Sequence, residues 1–98
     1  MEYSFTISSS HPSLEGHFPG NPVVPGVVIL DEVINIVKQY SPKHTVSKIP
    51  MVKFTHPLLP DQKVLVKINE KNEHTISFTC THNDNKIVIG QLDFKSEQ

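Results

Sequence analysis

Apolar and polar residues alternate at period two along Tyr3-Ser4-Phe5-Thr6-Ile7, which predicts a first strand ending in the turn-forming cluster Ser8-Ser9-Ser10-His11-Pro12. The period changes between Gly26 and Tyr40. There Ile29, Leu30, Val33, Ile34, Ile36, Val37 and Tyr40 fall on one half of a helical wheel, while Asp31, Glu32, Asn35, Lys38 and Gln39 collect on the other. This predicts one amphipathic helix, ended at Ser41-Pro42 because a proline disfavours helical geometry in the residue before it. Strand-like segments fill the rest: Thr45 to Thr55, Gln62 to Glu70, His74 to Thr81 and Lys86 to Phe94. They are separated by Pro57-Leu58-Leu59-Pro60-Asp61, Lys71-Asn72-Glu73 and Asn83-Asp84-Asn85.

The order is therefore strand, long loop, helix and four strands. Short turns join the last three segments, which are expected to be antiparallel neighbours, and a single helix is left to cover one face of the sheet. The expectation is an α+β chain of the hot-dog type, one long central helix wrapped by a curved antiparallel β-sheet. A chain of 98 residues supports one core, so residues 1–98 read as a single domain. One sheet on one helix leaves an edge strand unpaired and helix surface uncovered. Joining two sheets edge to edge remedies both, so a homodimer or higher homo-oligomer is expected.

Composition narrows the class. A formal net charge of -1 with 37% hydrophobic residues gives no global electrostatic reason to expect nucleic acid or an anionic membrane as partner. Met1 to Ser10 lacks the basic start and apolar run of a signal peptide, and Pro25 and Gly26 interrupt the longest apolar stretch, Val23 to Leu30. The expected location is cytoplasmic. Cys80, the only cysteine, sits in strand-like surroundings and reads as a packed, inert thiol. His11, His44, His56, His74 and His82 lack metal-ligand spacing with carboxylate or cysteine support; they read as surface or sheet residues, with no metal expected.

The chemistry concentrates in the loop before the helix. Within His17-Phe18-Pro19-Gly20-Asn21-Pro22-Val23-Val24-Pro25-Gly26 stand three prolines, two glycines and an aromatic, a composition suited to holding a fixed shape. It presents one histidine, His17, and about a turn inside the helix lies a carboxylate, Asp31. Imidazole suits the removal of a proton near neutral pH, and a carboxyl group that keeps its proton suits its delivery to a leaving group. Periodicity alone does not choose between Asp31 and Glu32, as both lie on the polar half of the wheel. The helix start at Gly26 and Val27 offers free N–H groups and the positive end of the helix dipole to a developing oxyanion.

His17 through Val27, with an acidic residue at Asp31, closely resembles the signature of the beta-hydroxyacyl-acyl-carrier-protein dehydratases of fatty-acid synthesis. Val52-Lys53-Phe54-Thr55-His56-Pro57-Leu58-Leu59-Pro60-Asp61 is similar to that family's Lys-Phe-x-x-Pro-x-x-Pro-Gly-Asp segment with its glycine missing. The resemblance implies conversion of a (3R)-hydroxyacyl thioester, carried on the phosphopantetheine arm of an acyl carrier protein, to the trans-2-enoyl thioester without a cofactor. It places the catalytic histidine at His17, the catalytic acid at Asp31 and the oxyanion donor at the Gly26 amide, with Val27, Phe18, Pro25 and Asn35 as further substrate-site residues. Asn35 matches a position often held by glutamine and is expected to reach the Asp31 carboxyl; Glu32 departs from the small residue usual there. For Asp31 to keep its proton, apolar surroundings are needed, and Ile29, Leu30, Ile34 and Phe18 are expected to build them as a tunnel.

Seven of the nine basic residues, Lys38 to Lys71, fall in a span whose acids are Asp61 and Glu70, and they offer either a docking patch for an acidic carrier protein or solvated strand faces. The chain is shorter than typical fatty-acid dehydratases, which suggests a specialised pathway such as aryl-polyene or polyketide-like synthesis. A hot-dog thioesterase shares the fold but needs a carboxylate that activates water, and the His-Phe-Pro loop argues against it. A non-catalytic acyl-thioester binding or scaffold module has no need of both His17 and Asp31.

Overall fold

The computed structural model describes residues 2–14 and 23–95. Strands β1 (Glu2–Thr6), β2 (Val46–Phe54), β3 (Lys63–Glu70), β4 (Thr75–His82) and β5 (Asn85–Phe94) form one antiparallel sheet in the order β1-β3-β4-β5-β2. Helix α1 (Gly26–Tyr40) packs on one face, at the bounds expected from its periodicity. A short 3-10 turn at Pro12–Leu14, not foreseen, follows β1. The architecture is the hot-dog α+β arrangement. No helix among the described residues is long and apolar enough to cross a membrane.

The strands alternate as the pleat requires. In β3, Val64, Val66 and Ile68 point into the core and Leu65 and Lys67 away from it; in β4, Ile76, Phe78 and Cys80 do the same between Ser77 and Thr79. Against this face α1 buries Val28, Ile29, Val33, Ile36 and Val37. Val28 was not on the predicted apolar half, whereas Leu30, Ile34 and Tyr40 are only half-buried. A wheel reports one apolar stripe, but the sheet covers only part of it, and Leu30 and Ile34 flank the uncovered side.

Two local features explain the chain's path. The β4–β5 hairpin pairs His82 with Asn85 around Asn83 and Asp84, both at positive φ (49° and 65°), as a two-residue turn with primed geometry requires. Inside the sheet, Phe78 lies directly across from Gly90, and its ring fills the space a side chain would take: a Cβ there would stand 2.5 Å from Phe78 Cζ and 2.8 Å from the Met51 carbonyl oxygen. The core-facing row Tyr3–Val66–Cys80–Val88–Phe54 crosses all five strands and ends at Phe54, on the free edge of the sheet. Among the described residues no strand pairs with the other side of β2, and Pro50 and two register shifts break its first half, which only an edge strand tolerates.

Candidate active site

The start of α1 is an uncapped helix end over an apolar cleft. Pro25 occupies the N-cap with extended backbone (φ -61°, ψ 143°), and no side chain among the described residues caps the turn. The N–H groups of Val28 and Ile29 both return to the Pro25 carbonyl at 3.0 and 3.4 Å. This leaves the Gly26 and Val27 N–H groups without an acceptor among the described residues, at the end of the helix where partial positive charge gathers. Beside them opens a cleft of ≈ 460 Å³, lined by Val23, Val24, Gly26, Ile29, Phe54 and the 55–58 loop.

The cleft is held by backbone bonds. Val24 N–H donates to the Leu58 carbonyl at 2.8 Å, tying the end of the proline-rich loop to the segment after β2, and Thr55 N–H donates to the Ile87 carbonyl at 2.8 Å. Val24, Ile29 and Leu58 are buried at its floor. Phe54 stays 48% exposed because it stands on the free edge, with its ring over Gly26: a Cβ at position 26 would come within 2.7 Å of Phe54 Cζ. Glycine is required there for this close approach.

The second motif's missing glycine has a structural counterpart in Asp61. Asp61 itself takes the left-handed conformation (φ 67°), its N–H donates to the Ile7 carbonyl at 2.8 Å, and its Oδ1 accepts the Ser9 N–H at 3.1 Å. Aspartate tolerates this region better than most residues and here joins the loop to the end of β1.

The expected site residues fall into three groups. Gly26 lines the cleft, while Pro25 and Val27, its neighbours in the chain, are not among the lining residues. Asp31 and Asn35 lie on the same helix face as Val27, at successive spacings of four, with Asp31 about 7.5 Å further along the axis than Gly26. His17 and Phe18 lie outside the described residues. One expectation needs correcting: Asp31 is exposed, as is Asn35, rather than enclosed in an apolar tunnel. Ile29 turns towards the sheet and Leu30 and Ile34 are only half-buried, so the described residues of one chain build no tunnel round the carboxyl group. Sequence reading also missed Phe54 and the 55–58 loop as cleft walls, although the second motif contains both.

Of the seven lysines, Lys67 and Lys53 stand in the same cross-strand row on the outer sheet face, Lys67–Thr79–Ile89–Lys53, with two strands between them, and Lys38 is on the helix. Lys67 approaches Glu2 at 3.7 Å, both well exposed, a pairing worth little in water. Cys80 is fully buried in the core, and burial pushes its thiol up to about 12, which fits the expected inert role.

A second hollow of ≈ 470 Å³ lies at the other end of α1, near Tyr40, Ser41, His44, Glu70 and Phe94. The Tyr40 hydroxyl donates to Glu70 Oε1 at 2.6 Å, and that bond holds the phenol above its usual range. The negative end of the helix dipole points here, so the hollow is unsuited to a developing oxyanion.

Residues 1–91 match the family model described as ApeI-like, ApeI dehydratase, and the chain belongs to that family of hot-dog dehydratases. Among curated proteins it is similar to the 3-hydroxyacyl-[acyl-carrier-protein] dehydratase FabZ of Ehrlichia chaffeensis, with 30% identity over 82 residues covering 76% of this chain and 57% of the relative. The chain thus spans little more than half the length of that relative. Among solved structures it is similar to the dehydratase heterocomplex ApeI:P from Xenorhabdus doucetiae, at TM-score 0.84 and 29% identity over 97% of this chain and 86% of that one. Gentisyl-coenzyme A thioesterase BH1999 shares the fold alone, at TM-score 0.69 and 10% identity over 96% of this chain and 87% of that one.

Proposed function

We propose that residues 1–98 act as one hot-dog unit, a (3R)-3-hydroxyacyl-[acyl-carrier-protein] dehydratase serving fatty-acid or aryl-polyene and polyketide-like synthesis. The observation that carries this reading is the start of α1, uncapped among the described residues, where Gly26 lines an apolar cleft within the dehydratase motif and its N–H has no acceptor among those residues. The acyl thioester enters the cleft with its carbonyl oxygen at the Gly26 N–H. His17 takes the C2 proton, the enolate charge builds on the carbonyl oxygen, and the C2 electron pair forms the double bond to C3. Asp31 gives its proton to the C3 hydroxyl, which leaves as water. The proton now on His17 exchanges through solvent and Asp31 is reprotonated, so the elimination is redox-neutral and closes on the chain's own groups.

This reading requires a cover for Asp31. A second copy of the chain, joined along the free edge of β2, fits the exposed edge and the uncovered helix face at Val27, Leu30 and Ile34. Burying that face would dehydrate the carboxyl group and favour its protonated form. The solved relative is a heterocomplex, so a different dehydratase chain is the other partner to look for.

The test is mass spectrometry of a 3-hydroxyacyl carrier protein, and of its short thioester mimic, with wild type, His17→Ala and Asp31→Asn. Loss of water from the acyl group with wild type alone supports the assignment. Release of free acid moves it to a thioesterase, and no reaction at any acyl length moves it to a binding module. Sedimentation of the purified chain, alone and with a second dehydratase subunit, reads the assembly.

A further inference from the structure

Among the described residues, the cleft beside Gly26 is apolar apart from two side chains. The Thr55 hydroxyl is occupied, donating to the Lys86 carbonyl at 2.7 Å. His56 is exposed on the loop that forms the cleft's outer wall, and its Nδ1 lies 2.8 Å from the Pro57 carbonyl oxygen. A carbonyl oxygen only accepts, so Nδ1 carries the hydrogen, and in the neutral ring Nε2 is left as an acceptor. The ring is held by a loop anchored at both ends, through Thr55 N–H on the Ile87 carbonyl and through the Leu58 carbonyl on Val24 N–H. Pro57 restricts the His56 backbone further. The result is one oriented hydrogen-bond acceptor on the rim of an otherwise greasy cleft.

We propose that His56 is a substrate-positioning residue whose Nε2 accepts a hydrogen bond from an amide N–H in the polar arm that carries the acyl thioester. This rests on the thioester reading above and deepens it. An acyl thioester on a pantetheine-type arm is apolar at one end and bears amides beyond the sulfur. With the acyl group against Val24, Ile29 and Leu58 and the carbonyl at Gly26, the arm leaves past the exposed side of the cleft, where His56 stands. A single bond to the arm fixes how far the acyl group enters and so sets C2 in register with the helix start.

The experiment uses two unreactive probes of the same saturated acyl chain, the N-acetylcysteamine thioester and the S-butyl thioester, which lacks the amide. Saturated chains have no 3-hydroxyl to lose, so binding is read by NMR titration whether or not the chain dehydrates anything. The expected result is that His56→Ala weakens binding of the amide-bearing probe by about threefold to tenfold, leaves the S-butyl thioester within about twofold, and is rescued by His56→Gln, whose amide oxygen restores an acceptor. Equal loss with both probes would mean that His56 only shapes the loop, and no loss with either would mean that it makes no contact; both overturn the proposal. The water-loss assay on the same variants fails separately if the dehydratase reading is wrong.

Discussion

Phe54 lies over Gly26 so closely that any side chain at position 26 would meet its ring, the nearest approach being 2.7 Å to Cζ. The pair links the second motif to the first. The edge strand's last aromatic forms one wall of the cleft, and the helix start at Gly26, whose N–H has no acceptor among the described residues, forms the other.

Gly26→Ala separates activity from stability. The obstructing atoms are the far end of a half-exposed ring that can swing outward, and alanine suits a helix better than glycine by up to about 1 kcal/mol. Thermal unfolding is expected to change little, while the displaced ring and the new methyl group lower the dehydration rate by about tenfold or more. A variant that unfolds early instead would show that the Gly26 contact is structural.

Gly90→Ala has the opposite outcome. The new methyl group meets the buried Phe78 ring and the Met51 backbone, neither of which has room to move. A loss of roughly 1–3 kcal/mol is expected from overpacking, read as a lower midpoint in urea at unchanged slope.

Asp31→Asn tests chemistry without disturbing the fold. The side chain is exposed in the single chain, so a stability change within about 0.5 kcal/mol is expected by denaturant titration. The rate of water loss should fall by roughly 10²–10⁴-fold, the usual scale of a lost general acid. Retained rate would remove Asp31 from the mechanism.

Asp61→Ala and Asp61→Gly probe the turn that lacks its glycine. Alanine loses the bond to Ser9 N–H and still has to hold φ near 67°, which is expected to cost about 1–2 kcal/mol. Glycine loses the same bond but relieves the backbone, so its cost should be clearly smaller by thermal melting. Equal costs would mean that backbone strain plays no part.

Cys80 gives a pH dependence of known sign. Its thiol is raised to about 12 in the folded chain from 9.0, so the folded state holds the proton more tightly than the unfolded one. That contribution is fully present below pH 9 and is lost as pH rises towards 12. Denaturation curves between these limits should show wild type losing stability faster than Cys80→Val, and parallel loss would contradict the burial argument.

The helix was legible from end to end because a period of 3.6 residues over fifteen positions leaves no other element that could bury that stripe. Strand order was partly legible: short turns made β3, β4 and β5 neighbours, but the placing of β1 beside β3 and β2 beside β5 depends on long-range pairing that local patterns do not record. The chemistry-bearing types at positions 17, 26 and 31 stood out because three prolines and two glycines in one short loop serve shape rather than solubility. What the chain alone did not reveal was the environment of each group. Phe54 reads as a strand residue, yet it walls a cleft because β2 is an edge strand and its last core-facing position overhangs the helix start. Asp31 reads as a residue to be buried, yet it is exposed, because the sheet covers only one side of α1 and burial of the other needs surface from elsewhere. Residue types and their spacing are properties of the chain, whereas exposure, cleft walls and free N–H groups arise only when distant segments meet.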